Sequence, residues 1–174
     1  MKPDRCSAPA LIRLLALAAA LCGAAAAHAD AYGDVNQLLK TGKGADALQA
    51  ANKYLAEKPK DPQMRFLKGV IQTQAGSTAE AIATFQALTQ DYPELPEPYN
   101  NLAVLYAGQG QLEQARGALL QAVRNNPSYP VAYENLGDIY LRLAHEAFSQ
   151  ATKLQGAQPD VQRKLSGLRP LLQP

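Results

Sequence analysis

The sequence predicts an all-α fold in which one short helical unit is used repeatedly, and the prolines, the glycines and the apolar spacing all point to it. Pro59, Pro93 and Pro127 are spaced by 34 residues, as are Pro62, Pro96 and Pro130, then Gly42, Gly76 and Gly110, then Ala47, Ala81 and Ala115. With Pro at about 5% of residues, two further matches to one proline have a chance of about 1 in 400. Several such coincidences at one period mark an internal repeat. The chain of 174 residues holds 17 Lys plus Arg against 15 Asp plus Glu, is 47% apolar and has two Cys. That composition excludes a disordered tail, a collagen-like rod and a disulfide-dense scaffold. Near-neutral charge argues against a nucleic-acid binder, which needs a basic footprint.

The first segment, residues 1–29, reads as an export signal. Lys2, Arg5 and Arg13 make a basic start, and the 14 residues from Leu14 to Ala27 carry no charge. Ala27-His28-Ala29 supplies the small-x-small pattern of signal peptidase, with cleavage between Ala29 and Asp30. The run is short and mostly Ala, whereas a stable membrane span needs roughly 20 strongly apolar residues. Cys22 lacks the neighbours of a lipoprotein site, and no twin-arginine pair is present. The expected location is periplasmic or secreted. Cleavage would leave 14 basic and 14 acidic groups, no cysteine and one histidine, His145. That inventory excludes Cys/His metal sites, and no cofactor is expected.

The repeat domain is expected over 30–158, with repeats near 31–60, 62–95, 96–129 and a degenerate 130–155. Each repeat holds two helices of about 14 residues, too short to persist alone. Small residues (Gly69, Ala81, Ala103, Ala115, Gly137) let paired helices approach, and large ones (Phe85, Leu102, Tyr106, Leu119, Leu136, Tyr140) fill the space to the neighbouring pair. Glycine turns such as Ala75-Gly76-Ser77 end the first helix at a left-handed cap. Prolines stop the second helix and open the next.

Tyr99-x-x-Leu102-Ala103-x-x-Tyr106 and Tyr133-x-x-Leu136-Gly137-x-x-Tyr140, followed by Gly110, Ala115, Leu119, Ala122 and Pro127, resemble the tetratricopeptide repeat, with Tyr where Trp often stands. The repeat from Pro62 departs at Arg65 and Lys68, where large apolar residues are usual. The resemblance implies a right-handed superhelix, an α-solenoid of three to four helix pairs, whose first helices line a concave side.

The fourth repeat breaks the pattern. No Gly or Pro lies between Asp138 and Gln155, and Leu136, Tyr140, Leu143, Ala147, Ala151 and Leu154 form one stripe at helical spacing. One long helix from about Val131 to Leu154 is therefore expected, the alternative being two antiparallel helices with a turn at Arg142 to His145. Residues 159–174 are expected to form a capping helix and tail, with Val161, Leu165 and Leu168 covering Phe148 and Leu154.

The chemistry-bearing residues have structural explanations. Tyr99, Tyr106, Tyr133 and Tyr140 sit at helix-packing positions, His145 at a surface position without a nucleophile, and Gly42-Lys43-Gly44 at a repeat turn rather than in a phosphate loop. No catalytic set is apparent. The family resemblance directs the second, fifth, ninth, twelfth and thirteenth residues of each repeat into the concave side. Phe66 and Val70, then Glu97, Asn100 and Val104, then Glu134, Asp138 and Arg142 are thereby assigned to a peptide-binding groove, with Asn101 and Asn135 beside Asn100. The Lys and Asn that some relatives use to clamp a terminal carboxylate are replaced by Phe66 and Val70. Residues 71–115 carry five acids and no base, a balance suited to steering a complementary partner. The expected function is a non-enzymatic periplasmic adaptor that holds a protein or peptide segment, in envelope assembly or maturation. The alternative is a structural module that self-associates into a homo-oligomer through Leu168, Leu171 and Leu172.

Overall fold

The computed structural model describes residues 31–155 and 158–172, so the expected export signal, residues 1–29, lies outside the described residues. The chain divides into two compact units, residues 1–64 and 65–174. Among the described residues every regular element is helical.

The first unit holds α1 (31–40), α2 (Gly44–Glu57) and the start of α3 (Pro62–Gln74). Val35, Ala47, Ala51 and Met64 are its buried apolar side chains. Asp61 caps α3, its carboxylate accepting the backbone N–H of Met64 at 2.9 Å. The same carboxylate accepts the Tyr32 hydroxyl, 2.6 Å from both oxygens, and the Tyr54 hydroxyl at 3.0 Å. One acid thus ties α1, α2 and the start of α3 together. Burial raises the Asp61 pKa, but the bonds from Tyr32, Met64 and Tyr54 outweigh it and hold the group below its ordinary value.

The second unit holds the rest of α3, then α4 (Thr78–Asp91), α5 (Pro96–Gly108), α6 (Leu112–Asn125), α7 (Pro130–Gln155), α8 (Pro159–Leu168) and a 3₁₀ turn, Arg169–Leu172. Gly42, Gly76 and Gly110 have φ of 73°, 73° and 74°. The residue after each donates its N–H to a carbonyl five back: Lys43 to Leu38, Ser77 to Gln72 and Gln111 to Tyr106, all at 2.9 Å. This is the left-handed cap that the glycine period predicts. Ala81, Phe85, Leu88, Leu102 and Leu105 form one buried cluster, and Ala103, Leu112, Ala115, Leu119, Ala122, Ala132, Leu136 and Ile139 a second. Tyr106 packs against both. At Gly69 an added Cβ would lie 2.6 Å from the ring of Phe85, so the close approach of α3 and α4 needs glycine there. Arg65, at an aromatic position of the repeat, pairs with Asp91 at 2.6 Å and lies over the Tyr92 ring. Its stem and charge do the work of the missing ring in joining α3 to the end of α4.

Helix α7 is continuous over 26 residues, about 39 Å at 1.5 Å per residue, as the unbroken stripe predicts. Several expectations for the side chains of this helix are corrected. Tyr133 and Tyr140 are 50% and 48% exposed rather than packed between helices. Gly137, placed among the close-approach residues, would have nothing within 4 Å of an added Cβ. The common cause is that α7 runs straight on, so no second helix turns back to cover these positions. Leu154 is 75% exposed, contrary to its expected cover. It lies 18 residues, about five turns, beyond Leu136 and so on the same side of α7. That side meets α6 only along its first half. Helix α8 packs elsewhere on α7, where Phe148 is half-buried beneath the Lys164 ammonium, 5.5 Å from the ring centroid. His145 is half-buried rather than fully solvated.

Candidate peptide groove

Helices α5 and α7 are the first helices of consecutive repeats and stand side by side in the second unit. Between them opens a cavity of about 250 Å³. Its floor is apolar: Ala103 and Ala107 of α5, Ile139 of α7 and, reached past those small side chains, Leu119 of α6. Val104 and Gly108 form one wall, and Asn135, Asp138 and Arg142 rise along α7 on the other. The spacing Asn135, Asp138, Ile139, Arg142 is that of one helix face.

Asn100 is 7% exposed, and its carbonyl oxygen accepts the Asn135 amide at 2.8 Å. This bond joins α5 to α7 across the groove and engages the Asn135 side chain through its nitrogen rather than its carbonyl oxygen. Asp138 and Arg142 stand one turn apart, and neither forms an ion pair within 4 Å among the described residues.

The residues assigned to the groove from sequence divide into three sets. Val104, Asn135, Asp138 and Arg142 line the cavity together. Asn100 is absent from the lining and is a buried brace bonded to Asn135, not a free peptide ligand. The remaining five are outside it. Asn101 turns back to donate to the Glu97 carbonyl at 2.9 Å. Glu97 and Glu134 are exposed on the approaches, and Phe66 and Val70 pack on the Phe85 cluster, with the Phe66 and Phe85 rings 5.6 Å apart. Burial and then the Glu97 carboxylate push the Tyr129 phenol up. Ala103, Leu119 and Ile139 line the cavity although the repeat positions do not assign them to it. The four-residue spacing of Ala103 and Ala107 is the available signal, since two small residues on one face leave a hollow.

In the first unit a second hollow, lined by Asp34, Lys53, Tyr54, Glu57 and Lys58 among others, carries charges of both signs. Among the described residues no three His, Cys, Asp or Glu gather in a way that would hold a metal, and no helix is long and apolar enough to cross a membrane.

Two overlapping family models, each described as tetratricopeptide repeat, match residues 32–96 and 72–137. The TPR repeat-containing thioredoxin TTL4 of Arabidopsis thaliana is 35% identical over 112 residues, 64% of this chain and 16% of that protein. The chain therefore spans about a sixth of that relative. The structure of YrrB, described as a TPR protein with an unusual peptide-binding site, is similar at a TM-score of 0.55 and 25% identity, over 57% of this chain and 52% of that one. The first TPR of Spaghetti (RPAP3), bound to the HSP90 peptide SRMEEVD, is similar in fold at a TM-score of 0.61 and 18% identity, over 64% and 89% of the two chains.

Proposed function

Residues 32–137 of the chain belong to the tetratricopeptide repeat family, and from that membership we propose that the protein is a non-catalytic adaptor that holds an extended protein segment between α5 and α7. The cavity carries this reading: an apolar floor with polar side chains on one wall suits a side chain inserted downward and a peptide backbone running above it. The helices that form the walls are fixed by the Asn100–Asn135 bond, so binding costs ordering on the peptide side only. The similarity to YrrB supports a peptide as the ligand class.

The cellular setting is the cell envelope, reached by cleavage after Ala29; the basic start and uncharged run of residues 1–29 support this placement. Affinity capture from a periplasmic extract tests both parts. The wild-type protein and Asp138→Ala/Arg142→Ala are compared, and an identical partner set for the two removes the groove assignment. Amino-terminal sequencing of the exported protein should start at Asp30.

Self-association through the carboxyl end is the second reading, and Leu171, 62% exposed, favours it. Light scattering of the wild type against Leu154→Gln/Leu171→Gln decides it. A monomer in both cases rules it out.

A further inference from the structure

Within the proposed adaptor role, on which this inference rests, we propose that the groove between α5 and α7 selects a segment in which an aliphatic side chain is flanked by lysine or arginine. The aliphatic requirement comes from the floor. Ala103, Ala107, Leu119 and Ile139 offer no hydrogen bond from their side chains, so a polar side chain entering the cavity would lose its water without replacement.

The basic requirement comes from the approaches. Glu134 and Asp138 are four residues apart and stand in a row on α7, both exposed. Glu97 stands at the start of α5, one turn before Asn100, whose side chain is bonded to Asn135 of α7, so it belongs to the same end of the groove. None of the three acids forms an ion pair among the described residues. Arg142, one turn past Asp138, is the single cation on the cavity wall. A segment entering from the start of α7 thus meets three carboxylates before one guanidinium. Cations complement this row, and carboxylates are repelled by it. The HSP90 peptide held by RPAP3, with three acids among its last four residues, has the opposite character. The carbonyl oxygen of Asn135, beside the cavity, is placed to accept a peptide N–H.

Fluorescence anisotropy with three labelled synthetic peptides tests the inference on the whole protein: Gly-Ser-Lys-Lys-Leu-Ser-Gly, its Lys-to-Glu counterpart and its Leu-to-Ser counterpart. At about 50 mM salt, where surface charges are weakly screened, the lysine–leucine peptide is expected to bind about fivefold or more tighter than either control. Glu134→Lys/Asp138→Lys, at exposed positions that tolerate change, should abolish the preference for lysine over glutamate while leaving the melting curve intact. Equal or tighter binding of the glutamate peptide, no binding by any of the three, or an unaltered preference in the double variant overturns the inference. A photo-crosslinker in place of the peptide leucine separates this failure from that of the groove itself. A glutamate peptide that cross-links to Val104 or Asp138 leaves the groove in place and removes only the basic selectivity. Cross-linking of the lysine peptide outside α5 and α7 removes both.

Discussion

Gly69 and Gly137 occupy the same position in their repeats, with Ala103 between them at the 34-residue spacing, yet alanine should act in opposite directions at the two sites. In a helix interior, Gly→Ala favours folding by about 0.8–1 kcal/mol. At Gly137 a methyl would meet nothing within 4 Å, so Gly137→Ala should stabilise by most of that amount. At Gly69 the methyl would lie 2.6 Å from Cε1 and Cζ of Phe85 and 3.1 Å from Cδ1. The ring is fully buried among Ala81, Leu88, Leu102 and Leu105, with Phe66 against it, so it has no space to yield. Relief needs a separation of α3 and α4 or an off-rotamer ring, and overpacking of that kind costs about 1–3 kcal/mol. The net expectation for Gly69→Ala is destabilisation by about 0–2 kcal/mol. Thermal unfolding followed by circular dichroism reads the pair, at about 2–4 °C per kcal/mol for a chain of this size. Adding Phe85→Leu to Gly69→Ala removes the clashing ring atoms, so the double variant should lose less than the two single losses combined. Stabilisation by both single alanines would show that α3 and α4 separate freely, and the close-approach reasoning would fall. Destabilisation at Gly137 would mean that something packs on that face of α7.

Gly110→Ala places a Cβ at φ +74° and should cost about 1 kcal/mol, whereas Gly117→Ala, inside α6 with open space around it, should stabilise as Gly137→Ala does, by most of about 0.8–1 kcal/mol; urea unfolding compares them. The Asp61 pKa is lowered in the folded state, so its contribution is present above the unfolded value of about 4 and is lost as pH falls through the folded value. Stability should therefore drop below about pH 4, and the drop should be shallower in Tyr32→Phe; a pH series of melts showing identical acid limbs would refute the assignment. Leu165→Asp should release α8 from α7, seen as faster hydrogen exchange over 159–168, while Leu154→Gln should stay within about ±0.5 kcal/mol of the wild type, because that side chain is already exposed.

The turns and the long helix are legible in the sequence because they depend on local backbone chemistry. A positive φ needs glycine, and Gly42, Gly76 and Gly110 declare it at a fixed interval. A helix ends here only where a residue supports a left-handed turn or a proline breaks it, and the stretch after Asp138 holds no Gly or Pro where the repeat would turn. What is less legible depends on partners. Tyr133 and Tyr140 carry the same repeat-position signal as Tyr99 and Tyr106, but the signal presumes a covering helix, and burial follows the helix rather than the residue. Asn100 reads as a free donor and acceptor because sequence spacing shows its direction and not its bond to Asn135, 35 residues away. The cavity floor is hidden for a similar reason, since Leu119 comes from α6, a second helix that the repeat positions do not assign to the concave side, and joins Ala103 and Ala107 there.

The end of the array follows from one position. Thirty-four residues after Gly110 stands Ala144, and a left-handed turn there would cost roughly 1–2 kcal/mol while ordinary helix costs Ala nothing. The helix therefore continues, no second helix covers this face, and Tyr133, Gly137 and Tyr140 stay open. The groove is untouched by this loss because Asn135, Asp138 and Arg142 lie on a different face of α7 from the two tyrosines. Truncating the fourth repeat thus removes a covering helix while keeping the wall that, in the proposed reading, meets the peptide. A perturbation of Tyr133 or Tyr140 should accordingly alter association or stability and leave peptide affinity unchanged, whereas Asp138 and Arg142 should behave in the reverse manner.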